Sequence, residues 1–317
     1  MKAAVLKEFG APLVLEDRPE PEPRGEEVVV RILGAGVCHT DLHIVDDAEE
    51  RYELPLVLGH EIAGADEELG PVLVYGAWGC GSCRFCRRGE EQLCADAVSP
   101  GFERDGGYEE RVLVPSRRYL LPLEGIDPVR AAPLADAGAT PLRAVRRVAG
   151  RLDRDATVLV VGAGGLGQFA IQYVKLLSDA KVVAVDTDER KRVRAVDVGA
   201  DAALPPEAVD HPVRVALDFV GSSATLELAA RVVERAGAII VVGAARGSIP
   251  FGMTLVPWEA ELSVSLWASL DDVAASLELA RRDELRWHVE ALPLEQANEA
   301  LDRLRRGDTT GRLVLVP

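Results

Sequence analysis

The stretch TVLVVGAGGLGQFAIQYVKLL, residues 157–177, decides the fold of the middle of this chain. An apolar run leads into a glycine turn, and an apolar stripe at helical spacing follows it: Leu166, Phe169, Ala170, Tyr173, Val174 and Leu177. Gly162, Gly164 and Gly167, with Gly165 between them, have the spacing GxGxxG. The first glycine permits a tight turn, the second lets a phosphate approach the backbone, and the third lets the helix pack against the strand. The stretch predicts a strand, a turn and a helix whose N-terminus faces an anionic ligand.

A carboxylate lies where the next predicted strand ends. The run KVVAV is followed directly by Asp186, nineteen residues beyond Gly167. In this register a carboxylate accepts hydrogen bonds from the ribose hydroxyls of a dinucleotide, and the unit therefore predicts an NAD site. Asp186 would repel a 2′-phosphate, which favours NAD over NADP, although the basic run RKR at 190–192 lies close by. The alternative for Asp186 is a helix N-cap or a solvated strand end.

Predicted strands and amphipathic helices alternate after residue 140. Strands are expected for RVALDFV and AIIVVG, and helices from about Asp188 to Gly199 and from Ser222 to Gly237. This alternation predicts an α/β fold with a doubly wound parallel sheet. The helix DDVAASLELARR, the segment LEQANEALDRLRR and the strand RLVLVP are expected to fold back onto the first part of the chain.

The first 125 residues predict a β-rich lobe, because short β segments alternate with Pro and Gly: AAVLKEF, LVLED, EVVVRILGAG, VLVYG and EERVLVP. A chain of 317 residues exceeds what one compact core organises. Two domains are expected, one formed by residues 1–135 and 268–317 and the other by residues 136–267.

Four of the five cysteines fall in the run CGSCRFCRRGEEQLC: Cys80, Cys83, Cys86 and Cys94. Four thiolates at this spacing can converge on one Zn²⁺ with no position left for water or substrate, which predicts a structural zinc. Disulfides are the alternative. They are disfavoured because MKAAVLKEFG lacks the features of a signal peptide, and a cytoplasmic location is expected.

The fifth cysteine, Cys38 in GVCHTDLH, precedes the motif LGHE, which contains His60 and Glu61. A catalytic zinc uses three protein ligands of mixed type and one exchangeable position, so Cys38 and His60 are candidates for two of the ligands. The alternatives are a buried structural cysteine and a core histidine.

Composition limits the partners. With 36 basic and 52 acidic residues the net charge is -16, which argues against nucleic acid or an anionic membrane as a partner. The long uncharged stretch from Ala156 to Val174 contains four glycines and changes periodicity midway. A strand, turn and helix therefore fit this stretch better than a membrane span.

Six motifs together resemble zinc-dependent medium-chain alcohol dehydrogenases: GVCHTDLH, GHEIAG, GCGSCRFCRRGEEQLC, GGYEERVLVP, PLADAGAT and VGAGGLG. The resemblance covers Met1 to Pro317 and is closest to bacterial secondary-alcohol dehydrogenases with an Asp zinc ligand. It implies a GroES-like catalytic domain and a Rossmann domain, with zinc and substrate in the cleft between them. The third ligand would be Asp136, beside Cys38 and His60, while Glu61 is a rival ligand that more often lies behind the metal.

The same resemblance implies roles for the residues that surround the metal. Zinc would lower the pKa of the alcohol so that hydride passes to NAD. Thr40 would touch the substrate oxygen, His43 would pass the proton to solvent, and Asp41 would accept a hydrogen bond from the ligand histidine. The positions matched to cofactor contacts are His39 and Arg312 at the pyrophosphate and Leu166 and Thr140 around the nicotinamide.

Two segments are shorter than the resemblance predicts. About ten residues are missing around ADEELGP, and only PEAVDHPV separates ADAALP from RVALDFV, too few for a crossover helix. Either the chain is trimmed at two loops or the sequence omits them. An intact mass clearly above 34.0 kDa would support the second explanation.

The sequence therefore predicts an NAD-dependent, zinc-dependent alcohol dehydrogenase that acts on small, above all secondary, alcohols and on the matching ketones or aldehydes. A polyol or threonine dehydrogenase of the same superfamily is the enzyme alternative, and a non-catalytic protein that binds zinc and a dinucleotide is another. The apolar run LVPWEAELSVSLW indicates an edge strand for a homodimer or homotetramer, or else an internal strand.

Overall fold

A computed structural model describes residues 1–47 and 51–317, which divide into two compact units. Unit 1 consists of Met1–Asp136, Ala268–Glu284 and His288–Pro317, and unit 2 consists of Ala137–Trp267 with Leu285–Trp287. These ranges differ from the predicted ones at Asp136 and at Leu285–Trp287. None of the helices in the described ranges has the length and apolar character needed to cross a membrane.

The strands are β1 Lys2–Leu6, β2 Val14–Asp17, β3 Val28–Gly36, β4 Leu56–Val57, β5 Glu61–Asp66, β6 Gly70–Val74, β7 Arg111–Val114, β8 Leu120–Pro122, β9 Thr157–Val161, β10 Lys181–Val185, β11 Ala202–Leu204, β12 Val213–Asp218, β13 Val233–Val241, β14 Glu261–Val264, β15 Val289–Pro293 and β16 Arg312–Val316. The α-helices are α1 His39–Val45, α2 Pro128–Ala131, α3 Ala139–Arg147, α4 Gly167–Leu177, α5 Glu189–Asp197, α6 Ser223–Val232, α7 Leu270–Arg281 and α8 Ala297–Arg305.

Unit 2 contains a six-stranded parallel sheet in the order β11-β10-β9-β12-β13-β14. The strands β9, β10 and β12 are almost wholly apolar and buried, as expected for parallel strands with both faces covered. The α/β class with a doubly wound sheet is thereby confirmed. The predicted helix from Ser222 to Gly237 was too long: it ends at Val232, because Val233 and then Ala238–Val241 pair with β12 as parts of strand β13.

The predicted absence of a crossover helix between β11 and β12 is confirmed, since residues 205–212 hold only the single 3₁₀ turn Pro206–Ala208. Val209 is 3% exposed and belongs to the core of the sheet, beside Val213 and Val232. The side chain of Val209 thus covers part of the sheet surface that a crossover helix would otherwise cover.

Unit 1 contains a seven-stranded sheet in the order β15-β16-β3-β5-β6-β8, with β7 paired to β3, and a smaller sheet in the order β2-β1-β4. The short segment around ADEELGP joins β5 to β6 by a tight turn, in which the Asp66 carboxylate accepts the N–H groups of Glu68 and Leu69. At the C-terminus β16 pairs antiparallel with β3. The expected return of the C-terminal segment to the β-rich lobe is therefore confirmed.

Candidate metal and dinucleotide sites

The four clustered cysteines of unit 1 converge as their spacing predicts. Their sulfur atoms lie within 4.8 Å of one another, with 3.4 Å between Cys83 and Cys86 and 4.0 Å between Cys80 and Cys86. Tetrahedral zinc with Zn–S bonds of about 2.3 Å places sulfur atoms roughly 3.8 Å apart. The backbone N–H groups of Cys80 and Cys86 donate to the sulfurs of Cys94 and Cys83, which favours thiolates. The cluster fits a four-thiolate metal site.

The thiols in this cluster do not titrate alike. Hydrogen bonds from Ser82, in the first place its hydroxyl, lower the pKa of Cys80 to about 6. Burial, and then the Cys83 thiol, raise the pKa of Cys86 to about 12. Packed sulfurs without a cation cannot all ionise, so the charge of a divalent metal is what would allow four thiolates to coexist.

A second cluster in unit 1 brings Cys38, His60, Glu61 and Asp136 within 4.8 Å of one another. Cys38 precedes α1, His60 and Glu61 lie at the start of β5, and Asp136 follows the 3₁₀ turn Ala132–Ala135. The Asp136 Oδ2 atom lies 3.9 Å from Cys38 Sγ and 3.5 Å from His60 Nε2. Tetrahedral zinc with bonds of 2.0–2.3 Å separates its donors by roughly 3.3–3.6 Å. The His60–Asp136 distance matches this range, and the Cys38–Asp136 distance exceeds it by about 0.3 Å, so a small contraction would bring the three atoms onto one metal.

His60 is buried within this anionic cluster, and its pKa reflects two opposing effects. Burial by itself lowers the pKa of His60, but hydrogen bonds with Asp136, Asp41 and Cys38 raise it well above the ordinary value of 6.5. The cluster therefore attracts a cation strongly, either a proton or a metal ion.

Glu61 and Arg312 form a buried ion pair at the same place. Arg312 Nε donates to Glu61 Oε2 at 2.8 Å, and Arg312 Nη2 donates to Glu61 Oε1. Gly36 makes room for this pair, because a Cβ atom at that position would overlap the Glu61 carboxylate. Burial raises the pKa of Glu61 above its ordinary value, although the Arg312 charge opposes this shift. Arg312 thus lies in the metal cluster, and its predicted contact with a cofactor pyrophosphate stays a prediction.

The four polar residues of α1 occupy different positions. Asp41 is fully buried, with Oδ1 3.5 Å from His60 Nδ1, and its Oδ2 accepts the Cys38 N–H at 2.7 Å. Thr40 lies beside Cys38, with its hydroxyl 3.6 Å from Cys38 Sγ. His39 and His43 are exposed. The structure therefore brings Asp41 and Thr40 to the cluster and leaves the two histidines at the surface of unit 1.

The glycine turn of unit 2 has the predicted conformation. Gly162 has φ +86°, a value that favours glycine, and a Cβ on Gly167 would overlap the Gly162 carbonyl oxygen. A Cβ on Gly164 would meet nothing within 4 Å, so the backbone is open there. Asp186 accepts the N–H groups of Ala163 at 3.0 Å and Asp188 at 2.9 Å, and it closes the turn from the next strand.

The remaining predicted cofactor residues also lie in unit 2. Gly165 and Leu166 are partly exposed in the turn just before α4, and Thr140 is buried in α3. Their roles around the nicotinamide stay predictions.

Sequence reasoning missed two aromatic residues of the metal cluster. The Phe102 ring lies 5.3 Å from the His60 imidazole, and the Tyr108 hydroxyl donates to Asp41 Oδ2 at 2.8 Å. Tyr108 stands in the motif GGYEERVLVP, which indicates the family resemblance but predicts no role for the tyrosine. Its partner Asp41 is 67 positions away, and no local pattern predicts that contact.

Two protein-family models match the chain. The alcohol dehydrogenase GroES-like domain matches residues 24–125, and the zinc-binding dehydrogenase domain matches residues 165–282. The chain is 36% identical to a D-arabinose 1-dehydrogenase (NADP(+)) of Saccharolobus solfataricus, over 100% of the chain and 97% of that protein. The aligned length of 341 residues exceeds the 317 residues of this chain, so that relative has segments with no counterpart here.

Two further relatives are similar to this chain over their full lengths. The chain is 36% identical to an NAD-dependent alcohol dehydrogenase of Sulfurisphaera tokodaii, over 100% of both proteins. The crystal structure of the alcohol dehydrogenase from the archaeon Aeropyrum pernix is similar with a TM-score of 0.93 and 36% identity, over 100% of both chains. The expected zinc and NAD cofactors and the GroES-like and Rossmann folds are thereby confirmed. This chain belongs to the zinc-dependent medium-chain alcohol dehydrogenases, which transfer hydride between an alcohol and NAD.

Proposed function

We propose that this enzyme interconverts small, above all secondary, alcohols and the matching ketones or aldehydes at a catalytic zinc held by Cys38, His60 and Asp136. The observation that carries the proposal is the convergence of one sulfur, one imidazole nitrogen and one carboxylate oxygen from three separate stretches of unit 1. These three residues would hold a zinc ion and leave one position for the substrate. The ion would supply a positive charge that lowers the pKa of an alcohol and favours hydride transfer to NAD.

The protein residues move the proton that leaves the alcohol. Thr40 and His43 are three residues apart on α1, so they lie on the same side of that helix. Thr40 lies beside Cys38, while His43 is exposed and can exchange a proton with solvent. Thr40 would accept the substrate proton as its own proton passes toward His43, the terminal base, which releases it to solvent.

Glu61 serves as a neighbour of the metal rather than a resident ligand. Both of its carboxylate oxygens are bound by the Arg312 guanidinium, and a bidentate pair of this kind is hard to break inside a protein. The Cys80, Cys83, Cys86 and Cys94 cluster holds the structural zinc. Thiolate zinc ligands persist in a reducing compartment, which supports a cytoplasmic location.

The dinucleotide site combines the glycine turn with Asp186. The Asp186 carboxylate uses two acceptor positions within the turn, and a carboxylate has about four, so it can still accept the adenosine ribose hydroxyls. The turn glycines and Leu166 face the pyrophosphate and the nicotinamide half, and Thr140 supports the latter. His39 and Arg312 are the proposed pyrophosphate contacts.

The metal site is tested by counting zinc and measuring activity in matched variants. Wild-type protein should bind two zinc ions per chain and oxidise NADH in the presence of a small ketone. Asp136→Ala and Cys38→Ser should each lose one zinc and at least a thousandfold in kcat/KM, since a catalytic metal supplies several kcal/mol of transition-state stabilisation. Asp127→Ala, which removes an exposed cap of α2, is the control and should keep both zinc ions. Ketone reduction that survives the loss of the second zinc would contradict the proposal.

A sugar or polyol substrate is the second candidate, because one relative is named as a D-arabinose 1-dehydrogenase. A panel of 2-alkanols, primary alcohols, polyols and pentoses, each assayed with NAD and NADP, separates the two candidates. The proposal predicts the highest kcat/KM for a small secondary alcohol with NAD. Zinc and NAD binding without turnover of any of these substrates would support the non-catalytic alternative.

We also propose a homo-oligomer that pairs through β14. This strand is the last in the order of its sheet, and Val264 on it is 75% exposed. Leu262, Leu266 and Trp258 add exposed apolar surface near the same edge. An exposed edge strand with apolar side chains favours pairing with a second copy. Sedimentation analysis should show a dimer or tetramer that Val264→Lys dissociates, whereas a monomeric wild-type protein would contradict this assembly.

A further inference from the structure

We propose that Tyr108 is a positioning residue for the catalytic metal: its hydroxyl fixes the Asp41 carboxylate, which in turn fixes His60. This inference rests on the proposed role of His60 as a zinc ligand. The Tyr108 hydroxyl donates to Asp41 Oδ2 at 2.8 Å, and both residues are fully buried. The hydroxyl donates to Asp41, and its effect on His60 passes through that carboxylate.

The geometry of the Asp41 carboxylate explains what the hydroxyl contributes. Oδ2 accepts two hydrogen bonds, from the Tyr108 hydroxyl and from the Cys38 N–H at 2.7 Å. With Oδ2 held in this way, Oδ1 faces His60 Nδ1 at 3.5 Å. A ligand histidine needs its second nitrogen protonated and directed at an acceptor, which leaves Nε2 free for the metal.

The backbone holds Tyr108 against the segment that leads into His60. The N–H groups of Gly106, Gly107 and Tyr108 donate to the carbonyl oxygens of Val57, Gly59 and Leu58 at 2.8, 2.7 and 3.0 Å. The ring lies directly on Gly59, where a Cβ atom would come within 2.6 Å of it. The hydroxyl is therefore fixed relative to residues 57–59, immediately before the proposed ligand.

The hydroxyl remains a donor under assay conditions. Burial, together with the negative charge and the hydrogen bond of Asp41, raises the pKa of Tyr108 well above its ordinary value of 10.0. Tyr108→Phe removes one of the two donors to Oδ2 at a buried carboxylate and leaves the ring in place. The carboxylate is then free to turn about its last bond, and His60 loses part of its orientation.

The test is the rate at which zinc leaves the fully loaded enzyme in excess chromophoric chelator, with the four-cysteine zinc as an internal reference. Removal of a hydrogen-bond partner behind a ligand lowers metal affinity about 10–100-fold, and we expect the lower end for a residue one bond further away. Tyr108→Phe should therefore release the catalytic zinc about tenfold faster and leave the release of the other zinc unchanged. Tyr75→Phe is the matched control, because Tyr75 is equally buried and donates to the Ala268 carbonyl oxygen at 3.0 Å.

A double-mutant cycle with Asp41→Asn supplies the second measurement. If Tyr108 acts through Asp41, the Tyr108→Phe effect on zinc release should disappear in the Asp41→Asn background. Equal acceleration of both zinc ions, an equal effect of Tyr75→Phe, or an undiminished effect in the double mutant would overturn the inference. A wild-type protein that binds only the four-cysteine zinc would instead refute the catalytic metal site itself.

Discussion

Glu109 provides a sharp test of electrostatics in unit 1, because its buried carboxylate has no cation close enough to offset the cost of burying its charge. The side chain is 2% exposed, and among the described residues Oε2 accepts no hydrogen bond. Arg18 Nη1 is 4.0 Å away and bonds instead to Asp105 at 2.9 Å. Burial, and then the Asp105 charge, raise the pKa of Glu109 to about 8, although the Arg18 charge opposes them.

The direction of the pH effect follows from this shift. An unfolded glutamate has a pKa of 4.5, so between pH 4.5 and 8 the unfolded chain releases a proton that the folded protein retains. The contribution of Glu109 to stability is therefore greatest below pH 4.5 and is lost as the pH rises through 8. The folded and unfolded pKa values of Glu109 differ by about 3.5, which lowers the free energy of unfolding by at most about 5 kcal/mol above pH 8.

Glu109→Gln removes this titration and keeps the shape of the side chain. The variant should unfold with a midpoint close to that of the wild type at pH 5 and with a clearly higher midpoint at pH 9. Thermal unfolding followed by circular dichroism between pH 5 and 9 measures both, with Glu110→Gln, at the less buried neighbour, as the control. If Glu109→Gln and wild type lose stability in parallel between pH 5 and 9, Glu109 does not carry the proposed penalty.

Four further substitutions test other parts of the structure. Gly164→Ala should leave folding intact but weaken NAD binding at least tenfold by calorimetry, whereas Gly167→Ala should lower the melting temperature as well, because only its Cβ overlaps the turn. Arg312→Met removes the guanidinium that pairs with the buried Glu61 carboxylate and should cost about 3–5 kcal/mol in chemical denaturation, and an unchanged midpoint would contradict the buried pair. Cys94→Ser should release one zinc, measured by metal analysis, and lower the melting temperature, while retention of both zinc ions would argue against the four-cysteine site.

Local sequence patterns predicted much of the fold. The glycine turn and the helix after it were predictable because their backbone conformation depends on neighbouring residues. Gly162 has a positive φ, and Gly167 has no room for a Cβ atom beside the Gly162 carbonyl oxygen. The end of α6 was not predictable in this way. Val233 pairs with Val213 of β12 and pairing resumes at Ala238, and no helix-ending residue beside Val233 marks those contacts.

Of the two candidate metal clusters, one was predictable from local spacing and the other was not. The spacing of Cys80, Cys83, Cys86 and Cys94 predicted a metal cluster directly, because all four ligands lie within fifteen consecutive residues. For the second cluster, residue patterns indicated Cys38 and His60 only, and Asp136 entered through the resemblance. A ligand 98 positions from its partner has no local signature.

The sequence by itself determined which chemical groups this protein has for zinc and NAD, because thiolates, imidazole, carboxylates and a glycine turn are properties of residue type and short spacing. Tertiary structure alone decided the partners of those groups. Arg312 pairs with Glu61 across 251 positions and Tyr108 bonds to Asp41 across 67, since sheet pairing and packing bring distant strands together. Hydrogen bonds at such separations depend on the closed fold, and no stretch of the chain encodes them locally.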